Sequence, residues 1–255
     1  MEPEALSRLP VPAYRYYESA TSTNDLALVW AESGAPDGAL VIADTQTAGR
    51  GRMERRWITP PDSALAFSLV LRPSAQELAK PALFSPLGGL ALSSALESHF
   101  GLHPAIKWPN DVLLDRKKTA GVLAESAWQD GKALAIVLGI GVNVGLASVP
   151  PADEVQFPAS CIEAAVGKPV DRYDLLAAIL GALFEWRKQL VNPAFLQAWQ
   201  DRLAFVGEQV QIIQPDQKSI KGRLAGISPQ GDVRLTLADG TERSFAAGDV
   251  HLRQM

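Results

Sequence analysis

The amino-acid sequence predicts an α+β chain in two unequal parts, on three observations. Apolar runs of strand length alternate with stretches of helical period as far as Val144. A long helical region then fills Asp171 to about Leu203. Beyond it the period changes to short strands separated by Pro215-Asp216, Pro229-Gln230-Gly231 and Asp239-Gly240 turns. Residues 1–203 are therefore expected to form the main domain and 204–255 a small all-β one. So short a module is near the lower size limit for folding alone and is expected to pack against its neighbour.

Taken in order, Ser22 to Ser33 reads as a first helix. Ser22 can cap it with Asp25 at the third position, Leu26, Val29 and Trp30 share a face, and Gly34 ends it. Ala39 to Ala43 is a short buried strand. Ala64 to Leu71 is another, in which Leu65, Phe67, Leu69 and Leu71 alternate with smaller residues. Ser85 as cap, Pro86 in the first turn and Gly101 past the end mark a long helix, despite Gly88 and Gly89 at about 1 kcal/mol each. Strands follow at Val112 to Leu114, Thr119 to Ala127 and Ala133 to Val144, the first two joined by the polar turn Asp115-Arg116-Lys117. The helical region carries Leu175, Leu176, Ile179, Leu183, Trp186 and Leu190 at helical spacing and breaks near Asn192-Pro193. The terminal strands are read at Glu208 to Ile213, Ile220 to Ile227, Val233 to Leu237, Glu242 to Ala246 and Val250 to Arg253.

Composition excludes several classes of function. The 255 residues are 47% hydrophobic and 20% charged, ordinary for a soluble globular protein. A net charge of −4 without a long Lys/Arg block argues against nucleic acid as the main partner. Cys161 is the only cysteine, so no intrachain disulfide or cysteine-rich zinc site can form, and a reducing cytoplasm fits. His99, His103 and His251 lack metal-ligand spacing. The most apolar stretch, Ala133 to Val144, is too short to span a bilayer, and the N-terminus has no basic-then-apolar signal pattern. Neither secretion nor membrane insertion is expected.

Three segments have the chemistry of a site. Gln46-Thr47-Ala48-Gly49-Arg50-Gly51-Arg52-Met53-Glu54-Arg55-Arg56-Trp57 places four arginines around two glycines, which suits close approach to a phosphate, although a solvated basic loop would have the same composition. Lys107-Trp108-Pro109-Asn110-Asp111, followed by Lys118-Thr119-Ala120-Gly121, offers an amide, a candidate Mg²⁺ ligand and a mobile cation; a strand end with surface charges is the alternative. Gly139-Ile140-Gly141-Val142-Asn143 ends an apolar strand and would let a flat ligand lie against the backbone. The third glycine of a dinucleotide fingerprint is misplaced, and no Walker-type GxxxxGK[ST] occurs.

Ser22-Thr23-Asn24, Gln46 with Gly49-Arg50-Gly51-Arg52, Lys107-Trp108-Pro109-Asn110-Asp111, Lys118-x-Ala-Gly121 and Gly139-x-Gly141-x-Asn143 stand in the order and approximate spacing of biotin protein ligases. Each motif alone is weak, but together they are specific, and the resemblance covers roughly residues 15 to 255. It implies a central mixed sheet backed by helices, related to class II aminoacyl-tRNA synthetases and lipoate ligases, with a C-terminal SH3-like β-barrel. It also implies ATP and biotin as substrates, Mg²⁺ as cofactor, a biotin carboxyl carrier protein as partner, and a monomer or homodimer.

By motif, the resemblance assigns Ser22, Thr23, Asn24, Gln46, Gly49, Arg50, Gly51, Arg52, Lys118, Gly121, Gly139 and Gly141 to biotin. Lys107, Trp108, Asn110, Asp111 and Asn143 are assigned to the nucleotide, with Asp111 the candidate metal ligand, and Lys118, Arg50 and Arg52 to catalysis. Glu54 departs from the pattern, standing where the family usually has glycine. Some family members carry an N-terminal winged-helix repressor domain, whereas about twenty residues precede Ser22 here, so a ligase without repressor function is expected. The nearest rival is a lipoate ligase or octanoyltransferase; the latter uses a cysteine, and Cys161 lies outside the matched motifs. A non-catalytic biotin-sensing DNA-binding regulator is opposed by the acidic balance and the missing winged helix.

Overall fold

The alternation of large and small residues in Ala64 to Leu71 organises the main sheet, because successive side chains on a strand point to opposite faces. The computed structural model describes residues 6–53, 55–129, 131–214, 218–246 and 248–252, which leaves Glu54 outside the described residues. Seven strands form a mixed sheet: β1 (Tyr14–Ala20), β2 (Ala39–Gln46), β3 (Ala64–Leu71), β4 (Ala105–Lys107), β5 (Asp111–Leu114), β6 (Lys117–Gln129) and β7 (Lys132–Asn143). Their order is β1-β2-β3-β7-β6-β5-β4, with β1 parallel to β2 and the other neighbours antiparallel.

One face of this sheet carries large side chains. Leu40, Ile42, Leu65, Phe67, Leu69, Leu71, Leu138 and Ile140 bury against helices α3 (Phe84–Phe100) and α5 (Arg172–Lys188). The opposite face is built from Val41, Ala66, Ser68, Val70, Val137, Gly139 and Gly141 and receives helix α1 (Thr23–Glu32) through Ala27 and Ala31. Because those residues are small, α1 covers only part of that face and leaves room beside it for a cavity. Two short helices, α2 (Ala75–Leu78) and α4 (Ile162–Val166), connect the layers, and α6 (Pro193–Asp201) ends the helical region.

Local sequence explains most boundaries. Ser22 Oγ accepts from Asp25 N, and Asp171 and Asn192 cap α5 and α6 with their side chains. Asp115 and Arg116, at φ of 47° and 62°, form the two-residue turn between β5 and β6. Two readings need correction. Helix α3 is capped by Leu83 without a side-chain hydrogen bond and not by Ser85, because the chain enters it through a 3-10 turn at Pro81–Leu83. The buried face of α1 is Ala27 and Ala31, not Leu26, Val29 and Trp30; Val29 is 62% exposed, since only alanines let the helix lie close to the sheet. Gly88 has the same logic in α3, where an added Cβ would come within 2.9 Å of Val122.

Five strands, β8 (Gln209–Ile213), β9 (Ser219–Ile227), β10 (Val233–Thr236), β11 (Glu242–Phe245) and β12 (Asp249–Leu252), form an antiparallel sheet of order β11-β10-β9-β8-β12. It is tied to the rest of the chain by the Trp108 indole N–H, which donates to the Gly231 carbonyl at 3.0 Å, and by Gln200 Oε1, which accepts from Ile227 N at 2.9 Å. Arg116 adds a bidentate pair with Glu208 at 2.8 and 2.9 Å. No helix among the described residues is long and apolar enough to cross a membrane.

Candidate functional site

A cavity of about 450 Å³ opens over the small-residue face, bounded by α1, the 46–59 loop, the β5–β6 hairpin and the irregular segment 148–159. Its two ends differ in chemistry. At one end Ser22, Thr23, Asn24 and Gln46 form a neutral wall. Gln46 Oε1 accepts from Thr23 N at 2.8 Å and from the Thr23 hydroxyl at 3.1 Å, while Gln46 Nε2 donates to Thr59. Asn24 Nδ2 donates to the Leu123 carbonyl and to Glu125, and its Oδ1 accepts from Ser68 at 2.6 Å. All polar atoms of the Asn24 side chain are thus engaged within the protein.

At the other end lie Lys107, Asp111 and Lys118. Asp111 is buried between the two lysines, with Lys118 Nζ at 2.7 Å and Lys107 Nζ at 3.4 Å. Burial alone would push the Asp111 carboxyl up, but the two ammonium groups outweigh it and hold the group below the ordinary carboxylate range. Lys118 also lies 5.6 Å from the Trp57 ring centroid, and Lys107 lies 5.4 Å from that of Phe157. Asn110 Nδ2 donates to the Val122 carbonyl at 2.8 Å. Arg52 reaches the Asn110 side chain and the Gly248 carbonyl, so the loop touches the terminal sheet here. Backbone bonds between Lys118 and both Pro158 and Ser160 carry segment 148–159 along the lysine strand, and Asn143 Nδ2 donates to the Ser160 carbonyl.

Of the residues singled out in the sequence, Ser22, Thr23, Asn24, Gln46, Arg50, Gly51, Arg52, Lys107, Asn110, Asp111, Lys118, Gly121, Gly139, Gly141 and Asn143 line this one cavity. Four expectations change. Trp108 does not reach it: the residue is 3% exposed and its indole N–H is turned toward the terminal sheet. Gly49 lies outside it, on an outer hollow of the same loop; a side chain there would strike the Trp57 carbonyl at 2.5 Å. Arg50, expected beside Arg52 as a catalytic cation, is held by Asp25 and by both oxygens of Glu125. Those hydrogen bonds, led by Glu125, keep its guanidinium more firmly protonated than usual. Gly139 and Gly141 do not present bare backbone to a ligand, because Asn24 and the Trp57 indole already occupy the space a Cβ would need.

Sequence reasoning missed Ser68, Glu125, Phe157 and a role for Trp57. Ser68 had a signal, as the one polar residue within an apolar strand. Segment 148–159 had none, because apart from one 3-10 turn at Ala152–Glu154 its backbone is irregular and leaves no periodicity. Among the described residues the buried Trp57 indole N–H has no hydrogen-bond acceptor, so the cavity retains an unused donor.

A neutral hydrogen-bonding wall and a lysine-rich end thus face each other over a mixed sheet in one cavity. Residues 16–143 match the biotin/lipoate A/B protein ligase family and 205–253 match the biotin protein ligase C-terminal domain, and the chain belongs to this family. It is 40% identical over 197 residues to the biotin–[acetyl-CoA-carboxylase] ligase of Paracoccus denitrificans, covering 74% of this chain and 80% of that protein. It is 32% identical over 240 residues to the corresponding ligase of Mycobacterium tuberculosis, covering 91% and 86% respectively. The structure of the Aquifex aeolicus biotin protein ligase in complex with biotin and ATP superposes with a TM-score of 0.81 at 28% identity, over 96% of this chain and all of that one (100%).

Proposed function

We infer that this chain activates biotin with ATP to biotinyl-5′-AMP and transfers the biotinyl group to a lysine of a biotin carboxyl carrier protein in the cytoplasm. The observation that carries this reading is the meeting, in one cavity of the family's fold, of the neutral Thr23–Gln46 wall and the Lys107–Asp111–Lys118 cluster. The ureido head belongs on the wall, where neutral donors and acceptors match neutral N–H and C=O groups. The carboxylate belongs at Lys118. When it attacks the α-phosphorus of ATP two anions meet, and a cation positioned in advance stabilises the charge that crowds there. Lys118 takes that role with Arg52 beside it; Lys107, Asn110 and Asn143 face the nucleotide. Pyrophosphate leaves, and Arg52, Arg55 and Trp57 over the cavity keep water from the mixed anhydride. The carrier lysine nitrogen then bonds to the acyl carbon, the acyl–phosphate bond breaks, and AMP departs with the electron pair.

Magnesium does not fit Asp111. Two ammonium groups already neutralise that carboxylate, and no group of three or more His, Cys, Asp or Glu side chains among the described residues could hold a metal ion. The ion accompanies the ATP phosphates as part of the substrate. Pyrophosphate release measured with Mg-ATP and either biotin or lipoate tests the reading. Release that requires biotin is expected; release with lipoate alone would contradict it.

A further inference from the structure

We propose that Ser68, which does not reach the cavity, is a specificity-determining positioning residue: it fixes the Thr23 hydroxyl as an acceptor, so that the wall selects a head group offering an N–H. This rests on the biotin reading above and deepens it. Ser68 is fully buried in β3, behind Thr23 and Asn24. A chain of hydrogen bonds runs from the carboxylate of Glu125 through Asn24 and Ser68 to Thr23.

Asn24 Nδ2 donates to the Leu123 carbonyl at 3.3 Å and to Glu125 Oε2 at 2.7 Å, and both of those groups can only accept. The amide orientation is therefore settled, and Asn24 Oδ1 faces Ser68. An amide oxygen also only accepts, and at 2.6 Å it takes the single proton of the Ser68 hydroxyl. Ser68 Oγ stands 2.8 Å from Thr23 Oγ1 and has no second proton to give. The Thr23 proton consequently turns inward, toward Ser68 Oγ and toward Gln46 Oε1 at 3.1 Å. What Thr23 offers the cavity is a lone pair.

The neighbouring amide is constrained in a complementary way. Gln46 Oε1 is occupied by the Thr23 backbone N–H at 2.8 Å, and Gln46 Nε2 gives one of its two protons to Thr59 Oγ1 at 3.1 Å. One donor remains. A wall of one fixed acceptor and one donor complements the adjacent N–H and C=O of a cyclic urea, whereas a dithiolane ring provides neither. A site built around a substrate N–H rejects an analogue that lacks it, because its own buried acceptor is then left unpaired.

In Ser68→Ala, Thr23 loses the nearer of its two inward acceptors and keeps only Gln46 Oε1, which it shares with the Thr23 backbone N–H, so its proton is freer to turn to the cavity. The test compares binding of biotin with that of a biotin analogue methylated at the ureido nitrogen, by titration calorimetry. The wild-type chain is expected to prefer biotin strongly, and Ser68→Ala to weaken biotin binding about tenfold, the loss of roughly one buried hydrogen bond. The analogue should lose little, so the preference shrinks by the same factor. ATP affinity and turnover at saturating biotin should stay within about twofold, since a group remote from the reacting atoms affects ground-state and transition-state binding alike. A folded Ser68→Ala chain with an undiminished preference would overturn the proposal, as would equal weakening for both ligands. If that variant fails to fold, Ser68→Cys, which nearly keeps the volume but offers only a weak thiol donor and acceptor, must reduce the preference in the same direction; an unchanged ratio there contradicts the proposal equally. Failure of the wild-type chain to bind biotin at all would instead defeat the functional reading on which it rests.

Discussion

The two ends of the cavity solve different physical problems. The Thr23–Gln46 wall is neutral, supported by α1 and β3, and nearly every polar atom in it is matched within the protein. The Lys107–Asp111–Lys118 end is charged and lies at the ends of β4, β5 and β6, within reach of the terminal sheet through Arg52 and Gly248. A matched neutral wall can discriminate among shapes and hydrogen-bond patterns, but it holds no charge with which to favour a transition state over a ground state. The lysine end has that charge. On the proposed function, recognition and reaction fall to separate ends of one cavity, and variants at each should produce different kinetic signatures.

The largest effect is expected from Asp111→Ala. Removing this carboxylate leaves two ammonium groups close together, one of them buried, and breaking a buried pair of this kind costs about 3–5 kcal/mol. Urea unfolding at pH 7 measures it. The pH dependence has a definite sign. In the folded chain the Asp111 carboxyl lies below its ordinary value. Between that value and an unfolded value of about 3.9 the unfolded chain binds more protons, so stability rises with pH across the window. The contribution is fully present above the unfolded value and is lost as pH falls through the lower folded one. Asp111→Asn should flatten this part of the acid limb.

Lys118→Ala comes next. Adenylate formation should slow by about 10²-fold or more, a typical loss for one transition-state electrostatic group, while the chain remains folded. Rapid-quench measurement of biotinyl-5′-AMP checks this, and near-normal turnover would move the role to another cation. A smaller effect is expected at the contact with the terminal sheet. Trp108→Phe removes only the indole N–H that meets the Gly231 carbonyl and should cost about 1 kcal/mol in unfolding experiments. The smallest is Arg116→Ala. Its pair with Glu208 is more than a third exposed on both sides, so screening should hold the loss below about 1 kcal/mol in the same experiments.

Much of the fold was legible because its signals are local. Ala64 to Leu71 and Thr119 to Ala127 show their strands through apolar runs, and Asp171 and Asn192 mark helix starts by their capping chemistry. Strand β1 escaped because Arg15, Glu18 and Ser19 at a sheet edge break the apolar pattern, and its pairing with β2 is a property of the assembled sheet. Within the site, the motif residues line one cavity, with Trp108 and Gly49 the exceptions. What the motifs left out was direction. That Trp108 turns outward, that Arg50 meets carboxylates, and that Gly141 lies beneath Trp57 all depend on contacts between distant segments. Ser68 shows the limit most clearly: a lone serine in an apolar strand is visible in the sequence, but its partners Thr23 and Asn24 lie more than forty residues away.

The division of the cavity into a recognising and a reacting end is tested most directly by steady-state kinetics of biotin-dependent pyrophosphate release in Thr23→Val and Lys118→Ala. Loss of an interaction made equally in the ground and transition states raises KM, whereas loss of one made only in the transition state lowers kcat. Thr23→Val should therefore raise the KM for biotin with kcat little changed, and Lys118→Ala should lower kcat with the KM for biotin little changed. If both variants move both parameters together and by similar factors, the two ends are not separate in function and the account is wrong.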